Sequence, residues 1–98
     1  MIVRSWSARL LPNRADDYVA FFRRVVRPQL DALRGFHEAE ILISPERTEV
    51  VVLTRWESMD AVRQFAGDDP SRAVVEPEAV ALFSEYDRAV RHYEVVEG

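Results

Sequence analysis

The run Val50-Val51-Val52-Leu53 is the strongest constraint on how this chain can fold. Side chains alternate along an extended strand, so Val50 and Val52 point one way while Val51 and Leu53 point the other. Both faces of the strand need cover, because each large apolar side chain left in water forgoes about 1.5–3 kcal/mol. The run continues as Thr54-Arg55-Trp56-Glu57-Ser58-Met59. Ser58 is a natural N-cap, Met59, Val62, Phe65 and Ala66 recur at helical spacing, and Gly67 is the stop. An inner strand running almost without a loop into a helix therefore sets the frame.

The flanking sequence fits around it. Ile2 to Leu10 alternates, with Ile2, Trp6, Ala8 and Leu10 on one side and Val3, Ser5, Ser7 and Arg9 on the other, and Arg4 falls on the apolar side. Leu11-Pro12-Asn13 ends that strand. Asp16 and Asp17 suit a first helical turn, and Tyr18, Phe22, Val25 or Val26, Leu30 and Leu33 form its apolar stripe. Pro28 predicts a kink or a break near Arg27, with Gly35 as the cap. Phe36 to Ile43 reads as a second strand, its sides being Phe36, Glu38, Glu40, Leu42 and His37, Ala39, Ile41, Ile43. Ser44-Pro45-Glu46-Arg47 is short enough to make it an antiparallel hairpin with the third strand. Asp69-Pro70 predicts a short helix over 71–75, Pro77 another through Ala81 to Tyr86, and Val90 to Val96 a fourth strand. The order is that of a single α+β domain over residues 1–98, a ferredoxin-like βαββαβ unit with a four-stranded antiparallel sheet and the first and third strands at its centre. Helices cover one face only. The apolar residues on the other predict a homodimer through the sheet face, a dimeric α+β barrel.

Composition removes several chemistries. There is no cysteine, so no disulfide and no thiolate nucleophile. All thirteen cationic residues are arginine, which excludes a lysine Schiff base, and three glycines cannot build a phosphate loop or a dinucleotide fingerprint. A net charge of -4 gives no long-range pull towards nucleic acid or an anionic membrane, and no apolar run approaches membrane-spanning length. A soluble, cytoplasmic protein is the expectation. No metal site is expected, since no pair of ligands stands at helical or hairpin spacing.

Trp56-Glu57-Ser58, followed by a helix ending in Phe65-Ala66-Gly67, and a last strand reading His92-Tyr93-Glu94-Val95 are the residues that carry a family likeness. With this strand order, the chain resembles the antibiotic biosynthesis monooxygenase family of small dimeric α+β barrels. That resemblance implies a small apolar or aromatic ligand and, as the leading activity, cofactor-independent oxygenation of an electron-rich aromatic or polyketide-like substrate, with no cofactor required. A non-catalytic ligand-binding or sensing dimer and a cofactor-free isomerase or cyclase are the alternatives. In the family's haem-degrading branch the first strand carries an asparagine, a tryptophan stands nine residues after the one matching Trp56, and a histidine ten further on. Here the first strand reads Arg4-Ser5-Trp6 and the other two positions hold Phe65 and Val75, so that route is not expected.

His37 and His92 are the only imidazoles. His92 is the candidate base, because Val90 and Val96 share its side and a dry setting can tune its pKa. Arg4 beside Trp6 on a central strand suits stabilisation of a phenolate or enolate against an aromatic wall. Phe22, Phe65 and Tyr86 would line the same cavity from the helices, Arg72 would reach its mouth, and His37 completes the set of candidate substrate contacts. Each of these side chains also has a plainer role as core or surface.

Overall fold

In the computed structural model, which describes residues 1–98, β1 (Ile2–Leu10) leads into α1 (Ala15–Phe21), a single π-helical turn (Phe22–Val26) and α2 (Arg27–Asp31). The hairpin of β2 (Phe36–Ile43) and β3 (Glu49–Trp56) follows, then α3 (Met59–Ala66), a non-helical segment over 67–76, α4 (Pro77–Val80), β4 (Phe83–Tyr86) and β5 (Arg91–Glu94). The sheet runs β2-β3-β1, and β4 and β5 both pair with the far edge of β1, every pairing being antiparallel. This is the α+β, ferredoxin-like arrangement expected, with the first and third strands central.

The fourth sheet position is one strand in two pieces. Ala8 faces Tyr86 and Ser5 faces Arg91, so Asp87–Val90 stand opposite only Trp6 and Ser7. The surplus residues leave the ladder as an excursion, and Asp87 is tied back by its amide to the Ser7 carbonyl at 3.0 Å. The helix expected through Tyr86 is thus corrected. α4 stops at Val80, and Phe83–Tyr86 satisfy the open edge of β1 instead. The helix expected over 71–75 is also absent. The Asp69 carboxylate takes the Ser71 amide and hydroxyl, closing a local turn, while Ala73 N–H bonds Arg88 O at 2.9 Å and Val90 N–H bonds Ser71 O at 2.8 Å. Those backbone groups are satisfied across the excursion rather than within a helix.

Two further local features differ from the sequence reading. Pro28 does not break its helix. The preceding turn widens, with Arg27 N–H bonding Phe22 O, so the chain passes the missing donor without a break. In β2 a bulge pairs Phe36 with Trp56 and Glu38 with Arg55, leaving His37 unpaired. Phe36 thereby joins Ala39, Ile41 and Ile43 against the core, and His37 is pushed out to solvent.

The core lies between the helices and the inner sheet face. Val50, Val52, Thr54 and Trp56 of β3 are buried there. Trp56 is wholly enclosed, its indole N–H on Thr54 Oγ1 at 2.8 Å and its ring against Phe36 and Phe65 at centroid distances of 5.3 and 6.0 Å. It closes the corner where β3 turns into α3, and Ser58 caps that helix by accepting from Ala61 N–H at 3.2 Å.

Candidate functional site

A cleft of about 60 Å³ separates the sheet from the helical layer. Its floor is Arg4, Trp6, Val52 and Thr54, side chains that β1 and β3 send to the same face; its roof is Tyr18, Phe22 and Val26 from the helix and its π turn; and Phe65, Val74, Val75 and Glu76 close its sides. Trp6 packs on Phe83 at 5.6 Å and lies 6.4 Å from Tyr18, whereas Phe65 packs on Trp56. The two aromatic walls are thus held apart by different neighbours.

Arg4 is buried, with 5% of its surface exposed, and no carboxylate lies within ion-pair distance of it. Its Nη1 donates to Pro70 O at 2.6 Å and contacts His92 Nε2 at 3.0 Å, while Nη2 donates to Arg72 O at 3.0 Å. Its guanidinium lies 5.9 Å from the centroid of the Phe65 ring. Burial lowers Arg4 to about 10, so it stays cationic at neutral pH. An arginine has no acceptor to offer, so the 3.0 Å contact requires His92 Nε2 to be the acceptor and places the imidazole proton on Nδ1. His92 titrates below its ordinary range, first because it is partly buried and second because the Arg4 charge faces it. The cation is therefore held by two carbonyls and a neutral imidazole, with no ion pair to neutralise it. Burying a charge in that state carries a penalty on the order of several kcal/mol.

Two more polar groups reach the cleft, both missed by the sequence reading. Tyr18 is buried and its hydroxyl has no hydrogen-bond partner; burial pushes its phenol pKa up, which keeps it a proton donor. Glu76, the residue before α4, brings the one carboxylate on the lining and makes no ion pair. Tyr18 was hidden in an ordinary apolar stripe, and only the π turn and the neighbouring cleft distinguish it. Glu76 lies in a stretch whose path depends on pairing that the local sequence does not announce.

Of the candidates read from sequence, Arg4, Trp6, Phe22 and Phe65 meet on the cleft, and His92 stands behind Arg4. The other three do not. His37 is exposed at the β2 bulge. Tyr86 lies on β4 rather than a helix, against Phe83 at 6.1 Å and with Arg88 over its ring. Arg72 contributes its carbonyl, and its side chain is exposed. No three His, Cys, Asp or Glu side chains gather at a metal-binding spacing, and no helix is long and apolar enough to cross a membrane.

Comparison with known proteins places this architecture. The family model described as antibiotic biosynthesis monooxygenase matches residues 1–77. The uncharacterised Mycobacterium tuberculosis protein Rv2558 is 31% identical over 100 residues, covering 97% of this chain, and the chain spans 42% of that relative's length. A Bordetella bronchiseptica protein of antibiotic biosynthesis monooxygenase type superposes with a TM-score of 0.69 at 24% identity, covering 98% of this chain and 97% of its own. The monooxygenase from the gene ActVA-Orf6 of Streptomyces coelicolor, solved with the ligand nanaomycin D, superposes with a TM-score of 0.67 at 21% identity, covering 99% and 88%.

Proposed function

Since the chain belongs to the antibiotic biosynthesis monooxygenase family, we propose that its sheet–helix cleft binds a small electron-rich aromatic as an oxyanion and promotes its direct oxygenation. The observation that carries this reading is the buried Arg4, a cation in no ion pair facing a largely apolar cleft. An anionic ligand supplies the missing charge, and a low-dielectric setting strengthens the attraction. The S. coelicolor monooxygenase, which holds nanaomycin D on a similar fold, supports the class of chemistry.

In the reaction the ionised substrate passes one electron to dioxygen, and the resulting substrate radical and superoxide combine to form a C–O bond. Protonation gives a hydroperoxide, and loss of water across its O–O bond and the adjoining C–H leaves a carbonyl. One oxygen atom ends in product and the other in water. Arg4 stabilises the ionised form, and the aromatic walls keep the radical pair away from bulk water. The base role read for His92 gives way to a positioning role, because its Nε2 lone pair is turned to Arg4 rather than to the cleft. That same engagement favours, as the second reading, a binding protein that performs no proton transfer.

Oxygen uptake measured with a panel of hydroxyarenes tests the proposal. The expected result is one dioxygen consumed per product and a loss of about 100-fold in kcat/KM for Arg4→Met. Saturable binding without uptake would assign the non-catalytic reading, and turnover that persists in anaerobic buffer would assign an isomerase or cyclase.

A further inference from the structure

We infer that the ligand is a single-ring compound with a delocalised two-oxygen anion at one end, held by Arg4, and a neutral oxygen at the other, held by Tyr18. This assignment rests on the reading of the cleft as a ligand site.

The donors of Arg4 define the first end. Pro70 O and His92 Nε2 occupy Nη1 and Arg72 O occupies one hydrogen of Nη2. The Nε hydrogen and one Nη2 hydrogen remain unpaired, and a ligand with two adjacent oxygens can take both. The enolate or phenolate of a 1,3-related carbonyl presents that pair, and a carboxylate mimics it for binding. Glu76 adds negative charge to the lining, so a second anionic group on the ligand is disfavoured.

Tyr18 defines the second end. Buried tyrosine hydroxyls ordinarily find a partner, and this one has none although the residue is only 4% exposed. Its oxygen is not among the sealed, unpartnered atoms of the protein, and the residue is part of the cleft lining. Arg4 and Trp6 are alternate residues of β1, roughly 6.6 Å apart along the strand. The Tyr18 ring stands beside Trp6, and the Arg4 guanidinium lies on Phe65 at the other side. Arg4 and Tyr18 thus stand against different aromatic neighbours on the lining of one apolar slot.

Volume limits the ring count. The cleft measures about 60 Å³, less than half of the roughly 150 Å³ that encloses a benzene molecule in a protein interior. One ring already requires the walls to yield, and each further ring asks for a larger opening between sheet and helix.

Calorimetric titration of the intact protein with 4-hydroxybenzoate and 4-hydroxyphenylacetate tests this, the two presenting a carboxylate to Arg4 at different distances from the distal hydroxyl. At least one should bind. For the one that does, the analogue without the distal hydroxyl should bind about tenfold more weakly, and 4-hydroxybenzamide, which lacks the charge, about 100-fold more weakly than 4-hydroxybenzoate. Tyr18→Phe, which keeps the ring, should erase the hydroxyl preference and leave the charge preference; Arg4→Lys, which keeps the charge but not the fork, should weaken both anions. Equal affinity for the amide and the acid, or a hydroxyl preference surviving in Tyr18→Phe, would overturn the assignment. If 1,8-dihydroxyanthrone binds and neither single-ring probe does, the inference fails while the cleft stands as a ligand site. If nothing binds, both readings fail together.

Discussion

Arg4 occupies a position whose neighbours on the same face, Trp6, Ala8 and Leu10, are aromatic or aliphatic, and its charge is tolerated through three partners that lie far away in sequence. The His92 contact makes that arrangement sensitive to pH. Because His92 titrates lower in the fold than in the unfolded chain, the unfolded state takes up a proton more readily. Its contribution to stability is present above the unfolded value of about 6.5 and is lost as pH falls through the folded value. Urea unfolding of wild type and His92→Gln, compared at pH 7.5 and pH 5, should show the larger acid loss in wild type. An equal loss in both proteins would separate His92 from the effect. The same pair explains what sequence could reveal here. Arg4 on the apolar side of an alternating strand was readable as an anomaly, and His92 as a residue with apolar company. Their contact was not, because it depends on the register of β5 against β1, where Arg4 faces His92.

At the scale of elements, local chemistry held wherever the chain had no competing partner. The Ser58 cap, the Gly67 stop and the β2–β3 hairpin all formed where propensity and turn residues put them. Gly35 is a case with a measurable consequence. It sits at φ +84°, and a Cβ there would stand 2.7 Å from the Ala61 Cβ, so the chain enters β2 through a place where α3 leaves no room. Gly35→Ala is expected to destabilise the protein by about 2–3 kcal/mol, from the left-handed backbone together with the clash, and denaturant titration should show a lower midpoint with an unchanged slope. The segments that misread, 71–75 and 81–86, are those whose helix signals were genuine but weak. A proline at a first turn is worth little against a run of strand-edge carbonyls that need donors. The π turn belongs to the same lesson. Pro28 announced a disturbance in the helix, but whether the chain breaks or widens is decided by the packing of Phe22 and Leu30, both nearly fully buried.

For the whole molecule, the outer face of the sheet remains the largest unmet demand. Leu42 and Tyr93 are 45% and 52% exposed there, and Val3, Val51 and Leu53 lie on the same side between them. The doubly apolar β3 was the plainest signal in the sequence, and the inner half of its demand is met by Val50 and Val52 in the core. We propose that a second copy meets the outer half. Light scattering at micromolar concentration should report about twice the 11.3 kDa of one chain, and Leu53→Asp should return it to a monomer with its secondary structure intact. A monomeric wild type would refute that assembly. The excursion at Asp87–Val90 bears on a different matter, the way such a molecule can change over generations. Asp87 grips Trp6 and Ser7, while Arg88 and Val90 hold the segment that leads into the side wall of the cleft. Insertions and deletions accumulate where chain leaves the ladder and are selected against where it is packed. Lengthening or shortening this excursion would shift that wall while the β1–β3 pairing and the enclosure of Trp56 stayed as they are. The shape of the cleft in descendants of this protein therefore turns on a few residues at a sheet edge, and the core can stay constant while that shape changes.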